Sequence, residues 1–447
     1  MKKISISALL LCSCLVAGAQ TGGQWTLEEC IRHAIAHNID LKLQEQEQQL
    51  REIELNTSRY SWLPSLNAGI GQNFDFGRSE SREGVIVDNT SASTSGSLQT
   101  SMPVFDGFRI PNDIAARKLN LRAATEALNK AKEDLSVSVA SYFLQVLYTK
   151  EIQKVAELQI ALTTEQVRKT DALVQSGKVP TSQLYDINAQ LAKDEVTLTE
   201  AKNNVQLALL DLAQALELER QEAGFDVSAP EMGDVIAENM ESILPPGEIY
   251  DRAVAIKPQI RQQEYLLESQ KKMLRVAQSG YYPKLNLNAS YSNGYYRFSG
   301  NNTIVNIPFA DQLRQNERKT VGLSLSIPIF NRFEVRNSVR SARVNIVNRE
   351  LMMESSRKSL YKEIQQAYYN ATAAQEKYLA SSKSVEASLQ SFTYAEERYD
   401  AGKSTVFEYN EARTKYAQSL SEQAQSKYNF IFRAKILDFY NGIPIRL

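Results

Sequence analysis

The sequence predicts a mainly α-helical protein with a transmembrane β-barrel contribution, written as two tandem repeats of helix, strand, strand, long helix and helix. Three observations predict it. Ala34, Leu41, Pro64, Leu66 and Asn67 recur as Ala253, Ile260, Pro283, Leu285 and Asn286 at an offset of 219, and Pro103, Phe105 and Gly177 recur as Pro328, Phe330 and Gly402 at 225. Self-similarity on this scale decides the architecture before any single element does. Two stretches without Pro or Gly, Asp113 to Ser176 and Val335 to Ala401, read as helices too long for a compact domain, and four short segments alternate apolar and polar residues.

The elements follow in order. Lys2 and Lys3 precede an apolar run from Ile4 to Val16 and then Ala17-Gly18-Ala19, which reads as a secretory signal over residues 1–19. The alternative is lipid attachment at Cys14, where Leu11-Cys12-Ser13-Cys14 offers a lipoprotein-like site. The first repeat covers 20–218. Its first helix opens at Thr26 with Glu29 three residues on, a capping box, and runs to about 59 before Pro64 stops it. Strands are expected at about 64–78 and 95–105. The long helix 113–176 would span ~96 Å at ~1.5 Å per residue, and Gly177 to Pro180 ends it before a return helix over 181–218. Residues 219–246, with Gly224, Pro230, Gly233 and Pro245-Pro246, read as a connector. The second repeat covers 247–440, with helices at 247–279, 335–401 and 405–438 and strands at about 283–298 and 319–330, followed by a tail over 441–447.

The short helices of the second repeat together match the long one in length, so each repeat is expected to stack them end to end beside it, as a rod of ~100 Å. Leu360, Ile364, Ala367, Ala371, Ala374, Tyr378, Ser381, Val385, Ser388, Phe392, Ala395 and Tyr399 step alternately by four and three, a coiled-coil seam. In the strands, Val321, Leu323, Leu325, Ile327 and Ile329 alternate with Gly322, Ser324, Ser326 and Pro328. Such segments cross a bilayer when tilted, at ~9–11 residues each. Tyr281, Tyr282, Tyr295, Tyr296 and Trp62 cluster at strand ends like an interfacial girdle. The competing reading is a pair of soluble hairpins. In lipid, four strands leave open edges, so the chain must assemble, with two copies supplying eight strands and three supplying twelve.

Composition excludes other classes. A formal charge of −1 does not suit nucleic acid as the main partner, and three Cys with two His exclude a zinc scaffold or a disulfide framework. His33 and His37 share a helix face but lack the adjacent Glu of a zinc protease and a third ligand. Gly69-Ile70-Gly71 lies in a strand with no following helix, and there is no phosphate loop or nucleophile elbow. The reading is therefore a non-enzyme without cofactor or metal. Arg332, Arg336, Arg340 and Arg343 form a basic run just after a strand, read as a solvated helix face or as a contact with anionic groups.

With Ala34 to Leu41 around Asn38, the strand entry Leu63-Pro64-Ser65-Leu66, the strand exit Pro103-Val104-Phe105-Asp106-Gly107 repeated as Pro328-Ile329-Phe330-Asn331, and two Gly-centred turns, the sequence resembles the TolC-like outer-membrane efflux proteins. The resemblance covers essentially the whole chain after the signal. It implies a homotrimer with a twelve-stranded barrel in the bacterial outer membrane and a long periplasmic helical barrel. It also implies an export duct that meets a periplasmic adaptor protein and an inner-membrane pump of RND or ABC type, in a tripartite efflux or type I secretion system. The alternative function is a periplasmic coiled-coil adaptor or scaffold.

The same resemblance assigns sites. The turns Gly177-Lys178-Val179-Pro180 and Gly402-Lys403-Ser404 are expected to receive the adaptor, with two extra residues and Pro180 setting the first apart. Glu408 and Glu411 are expected to form the periplasmic constriction, with Tyr399 as a latch and a gate that selects cations and is blocked by multivalent ones. Ser404 stands where the family pattern has Arg, so fewer charged links are expected there.

Overall fold

The structure, a computed structural model, describes residues 24–80, 84, 86–88, 90–218, 225–229, 236, 240, 244–299 and 305–447. The expected signal segment, Cys14 and most of the expected connector lie outside these residues. In chain order the elements are β1 (Gln24–Trp25), α1 (Leu27–His37), α2 (Ile39–Tyr60), β2 (Ser65–Asp75), β3 (Arg78–Glu80), β4 (Ile86–Asp88), β5 (Thr90–Phe105), α3 (Arg109–Gln175) and α4 (Thr181–Ala215). There follow β6 (Asp226–Val227), α5 (Pro246–Ile256), α6 (Pro258–Gln278), β7 (Lys284–Ser299), α7 (Phe309–Gln315), β8 (Arg318–Ser326), α8 (Glu334–Asp400) and α9 (Val406–Tyr440).

The first helix of each half is not continuous, which corrects the expectation. Asn38 (φ −57°, ψ 130°) and Lys257 (φ −68°, ψ 128°) each turn the chain out of the helix. Both stay tied to the preceding turn, Asn38 N–H donating to Ala34 O and Lys257 N–H to Ala253 O, each at 2.8 Å. Pro258 explains the second break, because the residue before proline is pushed out of the α region. The two positions are 219 apart, the repeat offset. Thr26 caps α1 as expected, its hydroxyl accepting from Glu29 N–H while the Glu29 carboxylate accepts from Thr26 N–H.

The chain divides into two compact units that do not follow the sequence halves. One takes residues up to Ile39, Lys132–Ile249 and Ile364–Leu447; the other takes Asp40–Ala131 and Tyr250–Glu363. In the first unit, Leu27, Cys30 and Ala34 of α1 pack with Val139, Phe143 and Leu147 of α3, Leu209 and Leu212 of α4, and Ile431 of α9. Burial of such side chains stabilises by about 25 cal/mol per Å² of apolar surface removed from water. The seam on α8 is buried or half-buried throughout, from Leu360 to Tyr399. Its small residues bring α8 against α9: Ser381 and Ser426 share a 2.6 Å hydrogen bond, and Tyr378 stacks on Phe430 at 6.1 Å.

The second unit holds a four-stranded antiparallel sheet in the order β2-β5-β7-β8. β5 and β7 have 16 residues each, β2 has 11 and β8 has 9, so all four reach the length that crosses a bilayer when tilted, ~9–11 residues. No helix among the described residues is long and apolar enough to do so.

Candidate functional site

Two places in the structure stand out: the sheet of the second unit, and the turn end of the helices in the first. In the sheet, strand register sorts side chains by chemistry. Leu325, Leu285 and Phe105 align on one face, then Leu323, Leu287 and Met102, then Val321, Ala289, Thr100 and Leu66. The other face aligns Ser324 with Asn286, then Gly322 with Asn288, Ser101 and Ser65, then Thr320 with Ser290, Gln99 and Asn67. Charge on this polar face is confined to Lys284, Arg318 and Asp75, each the terminal residue of its strand. A hydrogen-bonded chain crosses it, Ser101 Oγ donating to Asn288 Oδ1 at 2.8 Å and Asn288 Nδ2 donating to Ser324 Oγ at 2.9 Å. The apolar face is open: Ile70 is 87 % exposed, Val321 76 % and Leu66 74 %. An apolar sheet face bare to water is costly and marks a surface made for lipid or another protein.

At the turn end, Gly177 (φ 70°) and Gly402 (φ 69°) close α3 and α8 in the left-handed conformation that only glycine adopts freely. Each turn is a Schellman motif. Gly177 N–H donates to Val174 O and Lys178 N–H to Leu173 O, both at 2.9 Å; Gly402 N–H donates to Tyr399 O at 2.9 Å and Lys403 N–H to Arg398 O at 2.8 Å. Gly177, Lys178, Pro180, Gly402 and Lys403 are exposed, while Val179 and Ser404 are half-buried. The return helices start differently. Pro180 precedes α4 without a side-chain cap, whereas Thr405 Oγ1 accepts from Glu408 N–H at 3.3 Å.

Glu408 and Glu411 are both exposed, on the side of α9 roughly opposite the buried Tyr409 and Arg413. Glu408 lies 3.6 Å from Arg398 across the turn. Tyr399 is half-buried with its ring 5.4 Å from Tyr409, and Tyr409 is 1 % exposed. Burial, with Glu396 adding to it, pushes the Tyr409 hydroxyl up to about 12, so it stays a neutral packing group.

Charged links are present at this end within the chain. Lys169 on α3 meets Asp400 at 3.0 Å, Arg398 meets Glu408, and Arg413 donates to Asp194 at 3.0 Å. These charges come from α3, α4, the end of α8 and the first turns of α9. The Asp194 carboxylate also accepts from Thr163 on α3 at 2.5 Å and from Gln190 at 2.7 Å, joining three helices through one buried group. Sequence reasoning missed this cluster because Asp194 and Arg413 belong to different repeats and no local spacing relates them. His33 and His37 stack on each other at 4.0 Å, and no group of three or more His, Cys, Asp or Glu able to hold a metal exists among the described residues.

Comparison with known proteins adds to this geometry. The profile of the family described as "Outer membrane efflux protein" matches residues 30–217 and 249–435. The chain is 24% identical to the outer membrane protein TolC of Escherichia coli strain K12 over 391 residues, 85% of this chain and 74% of TolC. It is 25% identical to the pyoverdine export outer membrane protein OpmQ of Pseudomonas aeruginosa, over 79% of this chain and 72% of OpmQ. Among solved structures, CusC superposes with a TM-score of 0.77 at 14% identity over 94% of this chain and 92% of CusC. The CmeC outer membrane channel of Campylobacter jejuni superposes with a TM-score of 0.72 at 18% identity over 94% and 86%.

Proposed function

Because the chain belongs to the outer membrane efflux protein family, and is an outer-membrane efflux channel with a periplasmic extension, we propose that it works as the passive duct of a tripartite export system. The observation that carries this is the sheet with one open, mainly apolar face and one polar face charged only at its strand ends. In a closed barrel the first meets lipid and the second lines water. Among the described residues β2 and β8 are the outer strands of the sheet with unpaired edges, which hydrocarbon does not tolerate, so copies of the chain must pair them. Three copies supply twelve strands, and a homotrimer is the assembly we infer.

The duct spends no energy of its own. Transport is driven by an inner-membrane pump of RND or ABC type through a periplasmic adaptor, and the exposed turns at Gly177 and Gly402 are the docking points. Glu408 and Glu411, exposed on one side of α9, form the constriction on the trimer axis, with Tyr399 holding α8 against α9 behind them. The competing reading, a soluble periplasmic adaptor, leaves Ile70, Val321 and Leu66 bare to water for no purpose. Fractionation tests the choice: the channel stays in the envelope until detergent is added, whereas release by osmotic shock alone rejects the duct.

A further inference from the structure

We propose that each chain carries a binding face for anionic phospholipid headgroups, formed by Arg332, Arg336, Arg340 and Arg343 where the last strand passes into α8; it rests on the outer-membrane reading above. All four arginines are exposed, and among the described residues none has a carboxylate within 4.0 Å. Arg336, Arg340 and Arg343 follow i, i+4, i+7 spacing, so they share one face of α8. Like charges at that spacing repel unless an anion from outside the chain neutralises them.

The residues just before this row place it in depth. Ile327, Ile329, Phe330 and Phe333 are all exposed, Ile329 at 95 %. Arg332 (φ 50°) and Phe333 (φ 61°) sit in the left-handed region, which side chains other than glycine adopt only at a cost. That backbone sets Phe333 edge-on to Phe330 with ring centroids 5.6 Å apart, and brings the Arg336 guanidinium 5.6 Å from the Phe333 ring. The order along the chain is thus apolar strand, aromatic pair, arginine row. It matches acyl chains, interface and phosphates in a leaflet whose polar layer is ~5–7 Å thick. Arg336 and Arg340 are separated by ~6 Å along the helix axis, and their long side chains can reach back toward the interface.

The first repeat separates the two ingredients. There Phe108 also has positive φ (67°) and meets Phe105 edge-on at 5.2 Å, so the aromatic pair is common to both junctions. The charge is not. Gly107, Pro111, Ala115 and Lys118 stand where the second repeat has the four arginines. The arginines nearby are tied down, Arg109 to Asp106 at 3.2 Å and Arg117 to Glu54 at 3.1 Å. The row without carboxylate partners among the described residues therefore belongs to the second junction alone, and exposed cations beside a membrane surface attract anionic headgroups by charge.

The test uses the full-length protein in detergent, titrated with short-chain phosphatidylglycerol and, separately, phosphatidylcholine, with bound lipid counted by native mass spectrometry. Wild type should prefer phosphatidylglycerol. R336Q/R340Q/R343Q should lose about 100-fold in that affinity, at about fivefold per arginine, with phosphatidylcholine binding unchanged. R336K/R340K/R343K should keep most of the preference, and millimolar inorganic phosphate should not displace the lipid. Equal phosphatidylglycerol binding by wild type and the Gln variant overturns the proposal, as does loss in the Lys variant equal to that in the Gln variant. Displacement by phosphate would show a free-anion site instead, and loss of oligomer in the Gln variant would show a contact between copies. If wild type conducts in a phosphatidylcholine bilayer but shows no lipid preference, the headgroup face alone fails; if it never conducts, the duct reading fails and takes the face with it.

Discussion

Asp194 shows how much one side chain can hold. Its carboxylate is buried against Arg413, Thr163 and Gln190, so removing a partner strands a charge in a low-dielectric setting. R413M is expected to lower stability by ~3–5 kcal/mol, and R413M/D194L to be more stable than R413M alone, which thermal unfolding in detergent will read. Cys30 is a second residue with a defined outcome. Burial pushes its thiol up to about 12, so at pH 8 it stays protonated and should resist alkylation until the protein unfolds, as mass spectrometry of iodoacetamide-treated protein can check. At the proposed constriction, Arg398 partly neutralises Glu408 while Glu411 has no ion pair among the described residues. E411A should therefore reduce cation selectivity and multivalent-cation block in planar-bilayer recordings more than E408A, and no change in either variant would place the constriction elsewhere.

Among elements, the two Gly-centred turns give the sharpest prediction. A Cβ at Gly177 or Gly402 would meet nothing within 4 Å, so a bulky substitution costs only the backbone strain of ~1–2 kcal/mol. G177W and G402W should therefore assemble normally yet lose export in cells, and unchanged export in both would remove the docking role. These turns were legible because glycine interrupts a long run of helix formers, and the α8 seam because its steps of four and three persist for eleven intervals. The break at Asn38 was not legible, since no proline or glycine marks it; only the break at Lys257 had a signal, in Pro258. β5 begins at Thr90 rather than near residue 95, because its Ser- and Thr-rich start lacks apolar alternation and is ordered by pairing with β7. The left-handed Phe108 and Phe333 also had no local signal, as nothing in their composition favours that conformation.

For the molecule as a whole, the repeat told less than it promised about compact units. Each unit draws on both halves of the sequence, because α3 and α8 run through both and carry each half from one to the other. The two faces of the sheet and its two free edges then require partners of the same kind, and the duct follows from closing them. The mass of the particle in mild detergent tests this most directly, by native mass spectrometry or by crosslinking followed by electrophoresis. The account predicts three copies of the 50.3 kDa chain, reduced by any cleaved signal, in a particle that also forms channels in a planar bilayer. A stable particle of one chain, or of two, would contradict it.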